Sequence, residues 1–405
     1  MAYFSKVQAK NKQGYKWICV LEGPTNPVTG VRQQVSRRAD TKNEALQRAQ
    51  DAVNNLRSGI DIKKAKKTRF EEVATDFLET YSKSGVRSST VRTRSKSVKI
   101  LLHHFAKSNI DSIKLKDIQK MLITMDNNGY SHSSMNSTKI TAGMIFNFAV
   151  VHGLRKDNPC EGSVIPIKES TVEEIENDIL AEKYFERHEL EEFLEKVQLF
   201  GKRGDLETFY LLAFSGMRPG ELCALKWSDI NFETYDVRIT KTIYNPDNNM
   251  REYKLNPPKT KSSISTFDLD ESIIEMLKSY KEKQVIRHQR YCQQADDYHN
   301  GKFIFCHDNG YPYVQKNIID RMKRIMKKTS IKKHATPHIL RHTHISLLTE
   351  VGVDLKTIMH RVGHGDSKTT LKIYTHVTER MKKSANEKVR IHFGKILDIN
   401  QKQEM

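Results

Sequence analysis

Six side chains in four short strings carry the chemistry this sequence has to offer. SGMRPGELCALKW places Arg218 after a helix and a Ser-Gly break, and Pro219 then restarts a helix. PPKTKSS places Lys259 on a turn between two strand-like stretches. PHILRHTH sets His338 and Arg341 three residues apart on one helix face. VGHGDSKTTLKIYTH puts His364 ten residues ahead of Tyr374. These residue types suit attack on a phosphodiester. Two planar guanidinium forks can clamp the oxygens on which charge grows. A tyrosine, with an ordinary pKa of about 10, attacks only when a neighbour takes its proton or cations stabilise the phenolate. One imidazole can accept that proton, a second can donate to phosphate, and a lysine can protonate the leaving oxygen. No Asp/Glu cluster with metal-ligand spacing accompanies them, so the expected reaction uses no metal and no other cofactor.

Taken singly, each residue has a plain structural reading: a surface arginine, a solvated lysine, a chance His-x-x-Arg, a core tyrosine. Taken in order, the set resembles the tyrosine recombinases, or phage-type integrases. Arg218, Glu221 and Leu222 match that family's R-x-x-E-L string, and Lys259 its β-hairpin lysine. Lys261 competes for that role, but the family's K-T pair favours Lys259. His338 and Arg341 match its H-x-x-R, Gly363 and His364 its L-G-H, and Tyr374 its nucleophile. Val362 replaces the leucine of L-G-H, and His344 stands where an aromatic or aliphatic residue is common. The resemblance implies transesterification. Tyr374 forms a 3′-phosphotyrosyl link, a 5′-hydroxyl is freed, and the 5′-hydroxyl of a second duplex then attacks the link. It implies two strand exchanges through a Holliday junction inside a homotetramer, without ATP. Its partners would be double-stranded DNA at core-type and arm-type attachment sites, a small excisionase and a DNA-bending host protein. The family also suggests that the C-terminal helix, with Met381, Val389, Ile391, Phe393 and Leu397, packs on a neighbouring subunit.

The elements that must position these residues divide the chain. In residues 1–67, FSKVQAKNK, YKWICVLEG and VRQQVSRRA read as three strands with turns between them. Thr41 and Glu44 form a capping-box pattern for a helix that runs to Gly59, with Ala45, Leu46, Ala49, Val53 and Leu56 as its apolar face. The segment carries 14 Lys/Arg against 5 Asp/Glu. Its uncovered sheet face, bearing Arg32 and Gln34, could enter a major groove. By resemblance it is an arm-type DNA-binding domain. Residues 68–165 read as four helices, similar to the family's core-binding domain, with Arg92, Arg94 and Lys96 as candidate phosphate contacts. Residues 166–184 are acidic, as an interdomain connection would be. Residues 185–405 read as a mostly helical catalytic domain. VRITKTIYN, SSISTFDLD and KFIFC are its strand candidates, and KLNPPKT is a turn. The fold class expected is multidomain and mainly α, with α+β parts.

Composition narrows the function classes. The 405 residues hold 68 Lys and Arg against 49 Asp and Glu, a formal charge of +19. That excess points to a polyanion, nucleic acid before a membrane surface. No apolar run approaches the roughly 18–20 residues that span a bilayer. Five cysteines (Cys19, Cys160, Cys223, Cys292, Cys306) form no CxxC pair, which favours a reducing cytoplasm over a disulfide framework or zinc site. The family resemblance implies a bacterial cytoplasm, beside the nucleoid. The alternatives are a type IB topoisomerase, a decayed non-catalytic scaffold, an RNA-binding protein and a chromosome-dimer resolvase. The basic N-terminal sheet favours a mobile-element integrase over the topoisomerase and the resolvase, the presence of all six side chains argues against decay, and the lack of aromatic RNP-like strings argues against RNA binding.

Overall fold

The computed structural model describes residues 2–25, 31–57, 66–167, 181–258, 264–363, 368 and 370–382. They belong to two compact units, Met1–Glu169 and Ser170–Met405.

The first unit opens with an antiparallel sheet of β1 (Tyr3–Gln8), β2 (Tyr15–Thr25) and β3 (Arg32–Ala39), with β2 in the centre. Alternation decides its faces. Val35 and Ala39 are buried, while Gln34, Ser36 and Arg38 are exposed. Helix α1 (Lys42–Arg57) lies on the buried face, with Ala45 and Ala49 against Cys19 and Ala39. Small residues on both sides let helix and sheet approach closely. Thr41 Oγ1 accepts the Glu44 N–H at 3.2 Å, as the cap signal predicted. The other half of the box takes a different form, because the Glu44 carboxylate pairs with Arg48 at 2.6 Å. Gly59 lies outside the described residues.

Four helices follow: α2 (Phe70–Lys83), α3 (Ser88–Phe105), α4 (Leu115–Asn127) and α5 (His132–Val151). Phe70, Val73 and Phe77 are buried at the spacing the sequence gives them. The Phe70 ring meets those of Phe105 and Phe146 at 5.8 and 5.7 Å. Each such ring contributes about 1.5–3 kcal/mol by burial, against roughly 1 for a cap such as Ser131 on α5, so the rings dominate.

The second unit packs α6 (Arg187–Phe200), α7 (Asp205–Ser215), α8 (Pro219–Ala224), α9 (Glu271–Gln294) and α10 (Gln315–Met326) around one core. Two small antiparallel pairs accompany them, β4 (Asp236–Ile239) with β7 (Ser265–Asp268) and β5 (Thr242–Tyr244) with β6 (Lys254–Asn256). Next come α11 (His338–Glu350), α12 (Leu355–Val362) and a helical stretch at 370–382. Asp205, fully buried at the start of α7, is answered by Arg321 and Arg324 of α10.

Several expectations are corrected here. KLN is the strand β6, not part of a turn, because it pairs with β5 through Ile243 and Leu255. VRITKTIYN is two strands. The break comes at Lys241, whose ammonium binds both Asp229 oxygens at 2.6 Å. KFIFC is not a strand: only the single bridges at Phe303 and Cys306 form. Phe303, Ile304 and Phe305 are all buried, so one strand face cannot be solvated, and the buried Gln284 amide donates to the Ile304 carbonyl at 2.7 Å where a ladder partner would stand. The long α9 and α10 went unforeseen, although Asp270 accepts the Ser272 N–H at 2.9 Å as a legible start signal for α9.

Candidate active site

Arg218 owes its place to a backbone device. Helix α7 ends at Gly216, whose φ of +64° is left-handed and suits glycine. The chain then turns through Met217, and Arg218 becomes the N-cap of α8 with Pro219 behind it. Glu221 returns to this cap. Its two oxygens accept the Arg218 N–H and Nη1, each at 2.8 Å. Arg218 is thereby held half-buried at the start of a helix.

Arg341 sits on the first turn of α11 and is 2% exposed. Its Nη1 donates to the Gly216 carbonyl at 2.6 Å and its Nη2 to the Val362 carbonyl at 2.5 Å. A planar fork presents two donors in fixed directions to two such acceptors, whereas a lysine offers a compact point charge on a flexible stem. Burial first, then the charge of Arg218, pulls its pKa below the ordinary arginine value, and Glu221 opposes that. Gly363 closes α12 in the left-handed region, and its carbonyl lies 3.5 Å from Arg218 Nη2. Both arginines therefore meet the same helix end. Their charges add, and Glu221 offsets only part of them, which makes the spot attractive to an anion.

His338 opens α11 with its side chain exposed. The protein around its ring, then the charges of Arg341 and Arg218, hold its pKa below the usual imidazole value. It is neutral at pH 7 and can accept a proton. His338 and Arg341 share one helical turn, yet one faces outward and the other inward.

Tyr374 lies half-buried on the helical stretch at 370–382. Its ring packs against a cluster of Tyr184, Ile345, Ile358, Val362, Ile373 and Val377. Val362 therefore links the two halves. Its carbonyl holds Arg341, and its side chain shares a core with Tyr374. Lys259, Lys261 and His364 lie outside the described residues. Lys259 falls in the connection between β6 and β7, and His364 directly follows Gly363.

Two supports escaped the sequence reading. His344, singled out only as a departure from pattern, is buried three residues after Arg341 on α11. Its Nδ1 donates to the Ala213 carbonyl at 3.0 Å, and burial pushes its pKa down to about 3, so it stays neutral. Gly216 was read only as part of a helix break. A Cβ there would meet His344 Cδ2 at 2.7 Å and Val362 Cγ1 at 3.1 Å. The glycine before an expected functional arginine was the available signal.

The candidate DNA contacts divide. Arg32 and Gln34 are exposed, and Arg32 pairs with Glu22 at 3.2 Å. Lys96 is exposed and Arg92 half-buried. Arg94 is half-buried and donates to Thr141 Oγ1 at 3.2 Å, so it ties α3 to α5. Among the described residues no helix is long and apolar enough to cross a membrane.

Comparison with known proteins gives a consistent picture. Residues 183–381 match the Phage integrase family and residues 70–163 the Phage integrase central domain. A XerC-like tyrosine recombinase of Caldanaerobacter subterraneus subsp. tengcongensis is 31% identical over 86% of this chain and 89% of its own length. The prophage ps2 probable integrase of Lactococcus lactis is 31% identical over 89% of this chain and 93% of its own. Among solved structures, the Tn1549 transposon integrase in complex with transposon right end DNA shares the fold with a TM-score of 0.61, at 21% identity over 79% of this chain and 99% of that one. Matches of this identity, sustained across both units, make the chain a member of the phage integrase family, the tyrosine recombinases, enzymes that cleave and rejoin DNA.

Proposed function

We propose that this recombinase integrates and excises a mobile genetic element, with Tyr374 as the nucleophile. The observation that carries the reading is Arg341. A buried guanidinium is held between the Gly216 and Val362 carbonyls beside the charge of Arg218, and the Val362 side chain belongs to the core that Tyr374 packs against. In this reading Arg218 and Arg341 clamp the non-bridging oxygens of the scissile phosphate. Neutral His338 takes the proton as Tyr374 Oη attacks phosphorus, and His364 donates to a phosphate oxygen. The bond to the 5′-oxygen breaks, and Lys259 protonates the released oxygen. The 3′-phosphotyrosyl bond keeps the energy of the phosphodiester, so a second 5′-hydroxyl reseals the strand and frees Tyr374 without ATP. No residue in this scheme needs a metal or cofactor.

The finer organisation belongs to the same proposal. Residues 1–67 bind arm-type sites through the uncovered sheet face that bears Arg32 and Gln34. Residues 68–165 and 185–405 clamp the core site, joined through 166–184. Exchange runs through a Holliday junction in a homotetramer, with an excisionase and a DNA-bending host protein setting direction, in the cytoplasm beside the nucleoid.

The test is a set of suicide duplexes, nicked near the cleavage point and drawn from a library of core sequences. Wild type should leave a covalent protein–DNA band on a denaturing gel, and Tyr374→Phe should bind without one. A covalent product from Tyr374→Phe overturns the nucleophile. Relaxation of supercoiled DNA with no exchange between sites would instead favour the topoisomerase.

A further inference from the structure

We infer that Lys183–Glu186 is a positioning strap that sets the helix of Tyr374 against the helix of His338 and Arg341. The inference rests on the reading of Tyr374 as nucleophile. Lys183 and Tyr184 end the acidic stretch 166–184, and Phe185 and Glu186 lead from it into α6. They touch both functional helices at once. Toward α11, the Lys183 carbonyl accepts from His342 Nδ1 at 3.1 Å, and the Phe185 N–H donates to Thr343 Oγ1 at 2.8 Å. His342 and Thr343 directly follow Arg341. Toward the 370–382 stretch, the Tyr184 hydroxyl meets His376 Nδ1 at 3.3 Å and receives Arg380 Nη1 at 3.4 Å. Arg380 also pairs with Glu186. The Tyr184 ring, 0% exposed, lies in the core that holds Tyr374. Lys333 closes the strap from outside, donating to the Tyr184 carbonyl at 3.0 Å and to Glu189 at 2.5 Å.

The physical consequence is geometric. A nucleophile displaced by about 1 Å costs roughly 100-fold in rate. His376 and Arg380 stand two and six residues beyond Tyr374, so their anchors fix both the rotation and the axial position of the helix. The Arg380–Glu186 pair is partly exposed and weak by itself, and its charges can be reversed without emptying the core.

The test uses the full chain as wild type, Arg380→Glu, the swapped pair Glu186→Arg with Arg380→Glu, and Tyr184→Phe. Two readouts run together: amide hydrogen exchange of 370–382, and single-turnover formation of the covalent band. Arg380→Glu should speed exchange in 370–382 about tenfold, leave α7 unchanged, and slow cleavage about tenfold with DNA affinity intact. The swapped pair should restore both. Tyr184→Phe, which keeps the ring in place, should slow cleavage more than it changes thermal unfolding. Unchanged exchange in Arg380→Glu overturns the strap, as does altered exchange with cleavage at the wild-type rate. Absence of a band from wild type on every duplex sinks the nucleophile reading instead, and the exchange data then judge the strap's contacts by themselves.

Discussion

Arg341 reaches across to the carbonyl of Gly216, 2.6 Å away and 125 residues earlier in the chain. That bond joins the first turn of α11 to the turn that carries Arg218. Two arginines far apart in sequence are thus placed by one shared piece of backbone.

Replacement of Arg341 should therefore cost stability as well as rate. Arg341→Ala leaves two buried carbonyls without this donor, at about 1–3 kcal/mol each. The variant should unfold at lower denaturant and give no covalent band. Arg341→Lys should recover part of the stability but little cleavage, because a compact ammonium does not reproduce the fixed planar fork of donors. Denaturant unfolding beside the suicide-duplex assay checks both statements. Wild-type cleavage by Arg341→Lys would refute the clamp.

Gly216→Ala isolates the turn from the arginines. Its φ of +64° and the contact at 2.7 Å to the buried His344 ring leave a methyl group no room. The expected loss is about 2 kcal/mol, from backbone strain and overpacking together. Cleavage should fall more than tenfold, since the carbonyl that holds Arg341 must shift. A variant as stable and as fast as wild type would contradict this account.

His344 predicts how the second unit responds to acid. Its folded pKa of about 3 lies below the ordinary imidazole value of about 6.5. Below that ordinary value the unfolded chain takes up a proton that the folded chain refuses. Stability is whole above pH 6.5 or so and falls as pH drops toward 3, by up to about 1.4 kcal/mol per unit from this group. His344→Asn keeps a donor near the Nδ1 position and should flatten that slope, whatever its effect at pH 7. Unfolding free energies at pH 7, 6 and 5 supply the comparison.

If His338 takes the Tyr374 proton, as proposed, it should set the pH dependence of cleavage in the same range. Its pKa is lowered, so the proton-accepting form should persist below pH 6.5 and the cleavage rate should fall only at still lower pH. His338→Gln should remove that acid limb. An unchanged limb in the variant would assign it to another group.

The helical part of the first unit separates a structural arginine from a candidate phosphate contact. Arg94→Ala should lower the melting temperature, because it breaks the bond to Thr141. Lys96→Ala should leave melting alone and reduce the salt slope of DNA binding by about one. Deletion of 1–65 should spare covalent cleavage of an isolated core site while impairing recombination between sites. Unimpaired recombination by the truncated chain would remove the arm-binding role.

Much of this protein is determined by local pattern. The three strands of the first sheet, the helix that Thr41 caps and the four helices of residues 68–165 follow from turn residues, a cap and apolar periodicity. Those signals act within a few residues of one another and need no tertiary partner. The order of Arg218, His338, Arg341 and Tyr374 likewise stands in the sequence, and with it the family. What only the tertiary structure decided lies where a residue's partner is distant in the chain. KFIFC has strand composition, yet Gln284 and Leu225 take its backbone bonds and leave no ladder. Arg94 carries the charge of a DNA contact, but its guanidinium meets Thr141 on the next helix but one. The partners of Gly216, His344 and Tyr184 cannot be read from their neighbours in sequence. Their roles arise from close packing, which depends on which carbonyl, ring or guanidinium the fold brings within reach.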